Sequence, residues 1–328
     1  MRELILKTES WPVRGSFTIS RSSLKKVVVI TAKITENGYM GLGECRPYAR
    51  YNETAESVTL DIENVRQSIE TSMSNNDLLS LLPAGAARNA IDCALWDLKA
   101  KQTRKTVSEL LNLPQPQKRT TAYTLSIDSP AKMKIAAQKA TQFPILKIKI
   151  GSPEGLMSCL AILDARPDAQ LIIDANEALN VEDIKSFKNQ LKSLPIIMIE
   201  QPISSGQDDL IPFAPDELPI LCADESLHTE KDLDRLWALG YRAINVKLDK
   251  CGGLTAGLSL MKAAKAKGFI IMAGCMVGTS LAMAPMMILE SYADYIDLDG
   301  PLLLDKDREN KIVYEGPNIM PASPELWG

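Results

Sequence analysis

Four short apolar runs, KIKI, IIDAN, IMIEQP and LCADES, each carry charged residues at their ends that the middle of a buried strand would not tolerate: Lys147 and Lys149, Asp174, Glu200 and Asp224. Lys149 to Asp174 is 25 residues, Asp174 to Glu200 is 26 and Glu200 to Asp224 is 24, the length of a strand-plus-helix repeat. In a parallel barrel these residues would all sit at strand C-terminal ends, the face on which active sites are assembled from several strands. Asp174, Glu200 and Asp224 offer only oxygen, and His228 is the single histidine. A hard divalent cation suits such a set. Mg2+ fits better than Ca2+, because three monodentate carboxylates leave octahedral positions for water and substrate. One of these acids alone would read as a strand-end cap or ion-pair partner; three at matched positions read as a site. A later run, AINVKLDK, carries Lys247 at its end, so Lys149 and Lys247 would face each other across the barrel mouth. Two bases on opposite faces of a carboxylate-bearing carbon are what proton exchange at a chiral α-carbon needs. A lysine titrates ordinarily near 10.4, and base catalysis near neutrality asks for a fall of about three pH units, for which Lys147 and the cation would supply repulsion. His228 reads as a loop residue near the pocket rim.

The elements that must hold these groups follow from periodicity. Residues 1 to 45 alternate apolar and polar positions around a turn at Glu36-Asn37-Gly38, which predicts an antiparallel meander. Helical spacing follows over Thr54 to Met73 and Gly85 to Ala100, and Leu113-Pro114-Gln115-Pro116 reads as a linker. From Thr120 the runs TAYTLS, ILKIKI, LIIDA, IIMIE, PILCA, AINVK, FIIMAG and YIDLD predict eight strands with seven helical connections. The predicted fold is α/β, a modified TIM barrel of (β/α)7β type with an N-terminal α+β capping domain. The capping domain spans 1–114 and is completed by 311–328; the barrel spans 115–310. An open doubly wound sheet is the alternative, but even spacing favours closure and no glycine fingerprint follows the first strand. GYMGLGE, Gly38 to Glu44, lies in a hairpin and carries no nucleotide role.

Composition bounds the partners. The chain has 328 residues, 45% of them hydrophobic, with a net charge of -4 and a pI near 5.4. That balance argues for a small-molecule substrate and against nucleic acid, which draws a clustered basic surface. Six scattered cysteines without a CxxC pair predict reduced core residues of a cytoplasmic protein. MRELILKTESWP carries charges within its only apolar stretch, unlike a signal peptide, and no apolar run approaches the roughly 20 residues of a membrane span. A homo-oligomer is compatible with these features.

The combination KIK, DAN, EQP, ADES and VKLDKCGG resembles the enolase superfamily, in particular its muconate-lactonizing subgroup, with a lysine on each side of the metal. The likeness covers nearly the whole chain. PAGAARNAIDCALWDL, LCADES, GCM and DLDGP further resemble the dipeptide epimerases, known for interconverting L-Ala-D-Glu and L-Ala-L-Glu. This resemblance implies that Asp174, Glu200 and Asp224 bind Mg2+ with support from Asn176, that Lys149 and Lys247 are the acid/base pair, and that Lys147 neutralises the substrate carboxylate. It further implies that Cys275 and Met276 contact substrate, that Asp297 and Asp299 face the ammonium of a dipeptide, and that the setting is murein peptide recycling. One departure stands out. Where Ala-Glu epimerases carry an arginine in a capping loop that contacts the glutamate side chain, this chain has Leu24, followed by Lys25 and Lys26. The second residue of the substrate is then apolar, small or cationic, unless Arg21, Lys25 or Lys26 takes the arginine's place. Trp11 to Leu24 and Pro47 to Tyr51 would cover the mouth. An o-succinylbenzoate synthase or other cycloisomerase would share the metal and lysines yet need no Asp297 and Asp299, and an N-acylamino acid racemase would have no ammonium to bind.

Overall fold

The alternation of the first 45 residues produces three antiparallel strands, β1 (Glu3–Ile19), β2 (Ser22–Glu36) and β3 (Tyr39–Cys45), in a computed structural model that describes residues 2–211 and 217–328. Asn37 and Gly38 join β2 to β3 with φ of 52° and 80°, the two positive angles that a tight two-residue hairpin turn uses. β1 shifts register between Pro12 and Phe17, after which Phe17 pairs with Leu24. That shift turns the far end of the hairpin toward the barrel, where Phe17, Ile19 and Leu24 pack with Val277 and Leu304.

Five helices follow: α1 (Ala55–Asn64), α2 (Arg66–Ser72), α3 (Asn75–Leu81), α4 (Ala86–Thr103) and α5 (Val107–Leu111). The single helical stretch expected over 54–73 breaks at Val65, whose ψ of 6° leaves the helical region. α3 and α5 were not expected. Each is short and is opened by a reciprocal cap, Ser74 with Asp77 and Thr106 with Glu109, which satisfies amides that a one- or two-turn helix otherwise leaves bare. The glycines of GYMGLGE serve packing: a Cβ on Gly41 would lie 2.1 Å from Ala94 O, and one on Gly43 2.0 Å from Ala90 O, so only glycine lets β3 lie this close to α4.

After β4 (Arg119–Thr120), eight parallel strands run in sequence order: β5 (Tyr123–Leu125), β6 (Ile145–Lys149), β7 (Gln170–Asp174), β8 (Ile196–Glu200), β9 (Ile220–Ala223), β10 (Ala243–Val246), β11 (Ile270–Gly274) and β12 (Tyr295–Asp297). The ring closes just ahead of β5, where Ala122 N donates to Ile296 O at 2.8 Å and Thr121 bridges Ile296. Small and apolar side chains, Ala122, Ile172, Met198, Cys222, Ala243 and Met272, fill the barrel interior. Helices α6 (Pro130–Lys139), α7 (Gly155–Ala165), α8 (Val181–Leu191), α9 (Leu233–Ala238), α10 (Leu248–Cys251), α11 (Leu254–Lys267) and α12 (Ser280–Met287) cover the outside. Between β8 and β9 the described residues form only a 3₁₀ segment, Ser205–Leu210.

A final hairpin, β13 (Tyr314–Glu315) with β14 (Asn318–Ile319), pairs with β4, and the chain then returns to α4, where Trp327 Nε1 donates to Cys93 O at 3.1 Å. Arg308 ties this segment to the meander: its Nη2 donates to Glu44 at 2.5 Å, Glu9 at 2.9 Å and Thr31 at 2.8 Å, and its Nε to Thr279 at 2.7 Å. Among the described residues, no helix is long and apolar enough to cross a membrane.

Candidate active site

Strand register brings the charged residues to one level. Lys149 pairs with Asp174, Asp174 with Glu200, and Glu200 with Cys222 across consecutive strands. Asp224, two residues past Cys222, falls on the same face because side chains alternate along a strand. All are buried, and buried charge persists only where it is paired. Lys147 Nζ lies 3.1 Å from Asp174, 2.8 Å from Glu200 and 2.7 Å from Asp297, while Lys149 Nζ bonds Asp174. Lys247 Nζ reaches Asp224 Oδ2 at 2.7 Å.

Two further groups complete the network, and the sequence reading passed over both. Lys250 Nζ reaches Asp224 Oδ1 at 2.6 Å, and Asn245 Nδ2 donates to Glu200 Oε1 at 2.7 Å. Asn245 stands two residues before Lys247 as Lys147 stands before Lys149, so the same alternation could have found it. Gly274 makes room for it, since a Cβ there would lie 2.1 Å from Asn245 Oδ1. Asn176 N donates to Asp174 Oδ1 at 3.0 Å, and its side chain donates to Glu225 at 3.2 Å.

These pairings set the charge states. Burial, with Asp174 beside it, pushes the Glu200 carboxyl up to about 8. Burial acts the same way on Asp174 and Asp224, but Lys149 and Lys147 hold the first, and Lys247 and Lys250 the second, below the usual carboxylate range. Lys247 departs from expectation. Burial does favour its neutral form, yet the Asp224 carboxylate outweighs burial and the ammonium titrates above its ordinary value.

Among the described residues, no three His, Cys, Asp or Glu groups stand around one point as a finished coordination shell, and Lys147 bridges Asp174 and Glu200 as a counter-charge. The donor set nevertheless fits a hard cation. Three buried carboxylates from three consecutive strands offer oxygen alone, and Glu200 Oε2 meets only the Lys147 ammonium, at 2.8 Å.

Above this network lies a small cavity of about 50 Å³. Lys149 and Lys247 line it together with Leu24 and Phe17 from the hairpin, Arg46 and Tyr48 from the segment after β3, and Cys275 and Met276 after β11. A wider open groove, about 530 Å³, runs between Thr18–Ser20 and the link from β6 to α7, and of the site's lysines it touches only Lys149. The hairpin turn is pinned down by Arg21, which donates to Asn176 O at 2.7 Å, Glu177 at 2.8 Å and Glu225 at 2.6 Å. Arg21 is thereby committed, and Lys25 and Lys26 are exposed on β2 away from the cavity. Lys147, Asp297 and Asp299 do not line it. Asp297 is engaged by Lys147, and Asp299, which accepts from Thr124 N at 2.6 Å, is pushed up to about 7 by burial and by Asp297. His228 packs its ring edge-on against Tyr51, with centroids 4.8 Å apart, outside the cavity lining.

Two family models match the chain. Residues 1–112 match the mandelate racemase / muconate lactonizing enzyme N-terminal domain, and residues 132–319 match the enolase C-terminal domain-like family. An N-acetyl-D-glutamate racemase from a Pseudoalteromonas species is 42% identical over 92% of this chain and 95% of its own length. An L-Ala-D/L-Glu epimerase from Escherichia coli K12 is 39% identical over 94% of this chain and 96% of its own. A crystal structure of an Agrobacterium tumefaciens enolase family member with homology to dipeptide epimerases, bound to sodium and L-Ala-L-Glu, is 42% identical, superposes with a TM-score of 0.95, and covers 100% of both chains.

Proposed function

We propose that this chain, which belongs to the mandelate racemase / muconate lactonizing enzyme family, is a Mg2+-dependent dipeptide epimerase that inverts the α-carbon of the C-terminal residue. One observation carries the reading: β6 and β10 lie four steps apart in an eight-strand ring, so Lys149 and Lys247 approach one cavity from opposite sides.

Asp174, Glu200 and Asp224 would hold Mg2+, with Asn176 and Asn245 orienting the first two carboxylates. When bound, the cation supplies Lewis-acid stabilisation of charge on a carboxylate, worth several kcal/mol. Lys149, in its neutral form, takes the α-proton on one face, and the Lys247 ammonium delivers a proton on the other; the roles exchange for the opposite isomer. Lys147 balances the acids below the reacting centre, while Leu24 and Phe17 keep water from the carbanion. Asp297 and Asp299 supply the negative potential for a dipeptide ammonium. Six unpaired cysteines suit a reducing cytoplasm, and D- and L-glutamyl peptides of cell-wall origin fit the reaction.

A second reading, racemisation of an N-acylamino acid, draws support from Asp297 being already engaged by Lys147 and from the racemase relative. Comparing kcat/KM for L-Ala-L-Glu and N-acetyl-L-glutamate separates the two. Preference for the free dipeptide supports the epimerase; equal or better turnover of the acetylated substrate assigns the enzyme to the second class.

A further inference from the structure

We infer that Arg46 binds a carboxylate on the side chain of the residue being inverted, so that the enzyme selects an acidic residue there despite Leu24. The inference rests on the epimerase reading and names the substrate class of that same site.

Arg46 follows directly on β3, is 8% exposed, and lines the cavity that holds Lys149 and Lys247. A guanidinium carries five N–H donors. Among the described residues, only one side-chain hydrogen bond uses them, from Nη1 to Val277 O at 3.3 Å, and the group lies 5.6 Å over the Tyr48 ring. Asp249 bonds the Arg46 backbone amide at 3.0 Å and forms no ion pair with the side chain.

The other cations around the cavity are spoken for. Lys149 pairs with Asp174, Lys247 with Asp224, and Arg21 with Glu177 and Glu225. Arg88 shows how this fold settles a buried arginine that has no carboxylate: three main-chain carbonyls, of Gly252, Leu82 and Cys251, accept from it. Arg46 has no such set. A buried charge left this open is costly unless a ligand completes it.

The surroundings favour an anion. Val277, whose carbonyl accepts from Arg46, belongs to the apolar cluster against which Leu24 packs. Leu24 thus gives the subsite a dry wall, in which a guanidinium–carboxylate pair is stronger than in water. The planar fork of arginine also suits two-point binding of a carboxylate, which lysine cannot reproduce.

The test measures affinity and turnover of Mg2+-loaded wild type, Arg46→Lys and Arg46→Met with L-Ala-L-Glu and its uncharged isostere L-Ala-L-Gln. Calorimetric Kd values supply a readout independent of chemistry. Wild type should bind and turn over the Glu peptide on the order of 10- to 100-fold better than the Gln peptide, the yield of one charge-assisted contact. Arg46→Met should bring that ratio near one, chiefly through KM and Kd. Arg46→Lys should restore part of the preference and, if the methionine variant fails to fold, carries the comparison alone. Equal wild-type affinity for the two peptides, or a preference unchanged in a folded variant, overturns the role of Arg46. Selective binding of the Glu peptide without α-carbon inversion would instead overturn the epimerase reading and leave the Arg46 subsite standing.

Discussion

Lys149 and Lys247 approach the same cavity from strands on opposite sides of the barrel, and each is held by a carboxylate of a different strand, Asp174 and Asp224. Each lysine is therefore tethered independently, which makes the two separable by mutation. Lys149→Ala and Lys247→Ala should each lower epimerisation by about 10²- to 10⁴-fold, the range for loss of a positioned acid or base. In D2O each variant should still exchange the α-proton of one stereoisomer alone. Equal exchange of both isomers by both variants would remove the two-base assignment.

The carboxylate trio should behave as one unit. Asp174→Asn, Glu200→Gln and Asp224→Asn keep shape and lose charge, so each should abolish most activity, by about 10²-fold or more, while leaving the circular dichroism spectrum intact. Exhaustive chelation should do the same to wild type, and added Mg2+ should reverse it. Full turnover in the chelated enzyme would contradict the assignment.

Most of the barrel, and the residues it gathers, could be read from the sequence because strand ends there break an apolar run with a charge, a signal that survives in a single chain. Lys147, Lys149, Asp174, Glu200 and Asp224 were found this way, and register aligns them. What escaped lacks that contrast. Arg46 follows β3 in a segment already dense with polar residues, so nothing local marks it as facing the barrel cavity. The helices α3 and α5 are too short for a 3.6-residue period to emerge, although their capping pairs were visible. The register shift in β1, which spans Gly15 at a φ of 71° and leaves Phe17 and Leu24 packed with Val277, cannot be read from alternation alone.

Arg308 holds three parts of the chain together through Glu9, Glu44, Thr31 and Thr279. Glu44 is fully buried, and removing its partner leaves that charge uncompensated. Arg308→Ala should cost roughly 3 to 5 kcal/mol in unfolding free energy. Pairing it with Glu44→Gln should recover part of the loss, since the orphaned charge is then gone. An Arg308→Ala protein as stable as wild type in urea would show that the network is dispensable.

Asp249 should make stability depend on pH. Burial pushes its carboxyl up to about 7, although Arg46 N and Asn89 donate to it. Between the ordinary carboxylate range and 7 the folded chain keeps a proton that the unfolded chain releases. Its contribution is therefore present in acid and fades as pH rises through about 7. Asp249→Asn, measured by urea unfolding at pH 5 and at pH 8.5, should gain stability relative to wild type at the higher pH, by on the order of a few kcal/mol. A mutational difference that is flat across that range would show that Asp249 ionises as freely folded as unfolded.

The most direct test follows L-Ala-L-Glu and the Mg2+-loaded enzyme in D2O by proton NMR and chiral chromatography. The glutamate α-proton signal should disappear while the alanine α-proton persists, and L-Ala-D-Glu should accumulate with deuterium at the inverted carbon. Retention of the glutamate α-proton through prolonged incubation, with no D-isomer formed, would contradict the account.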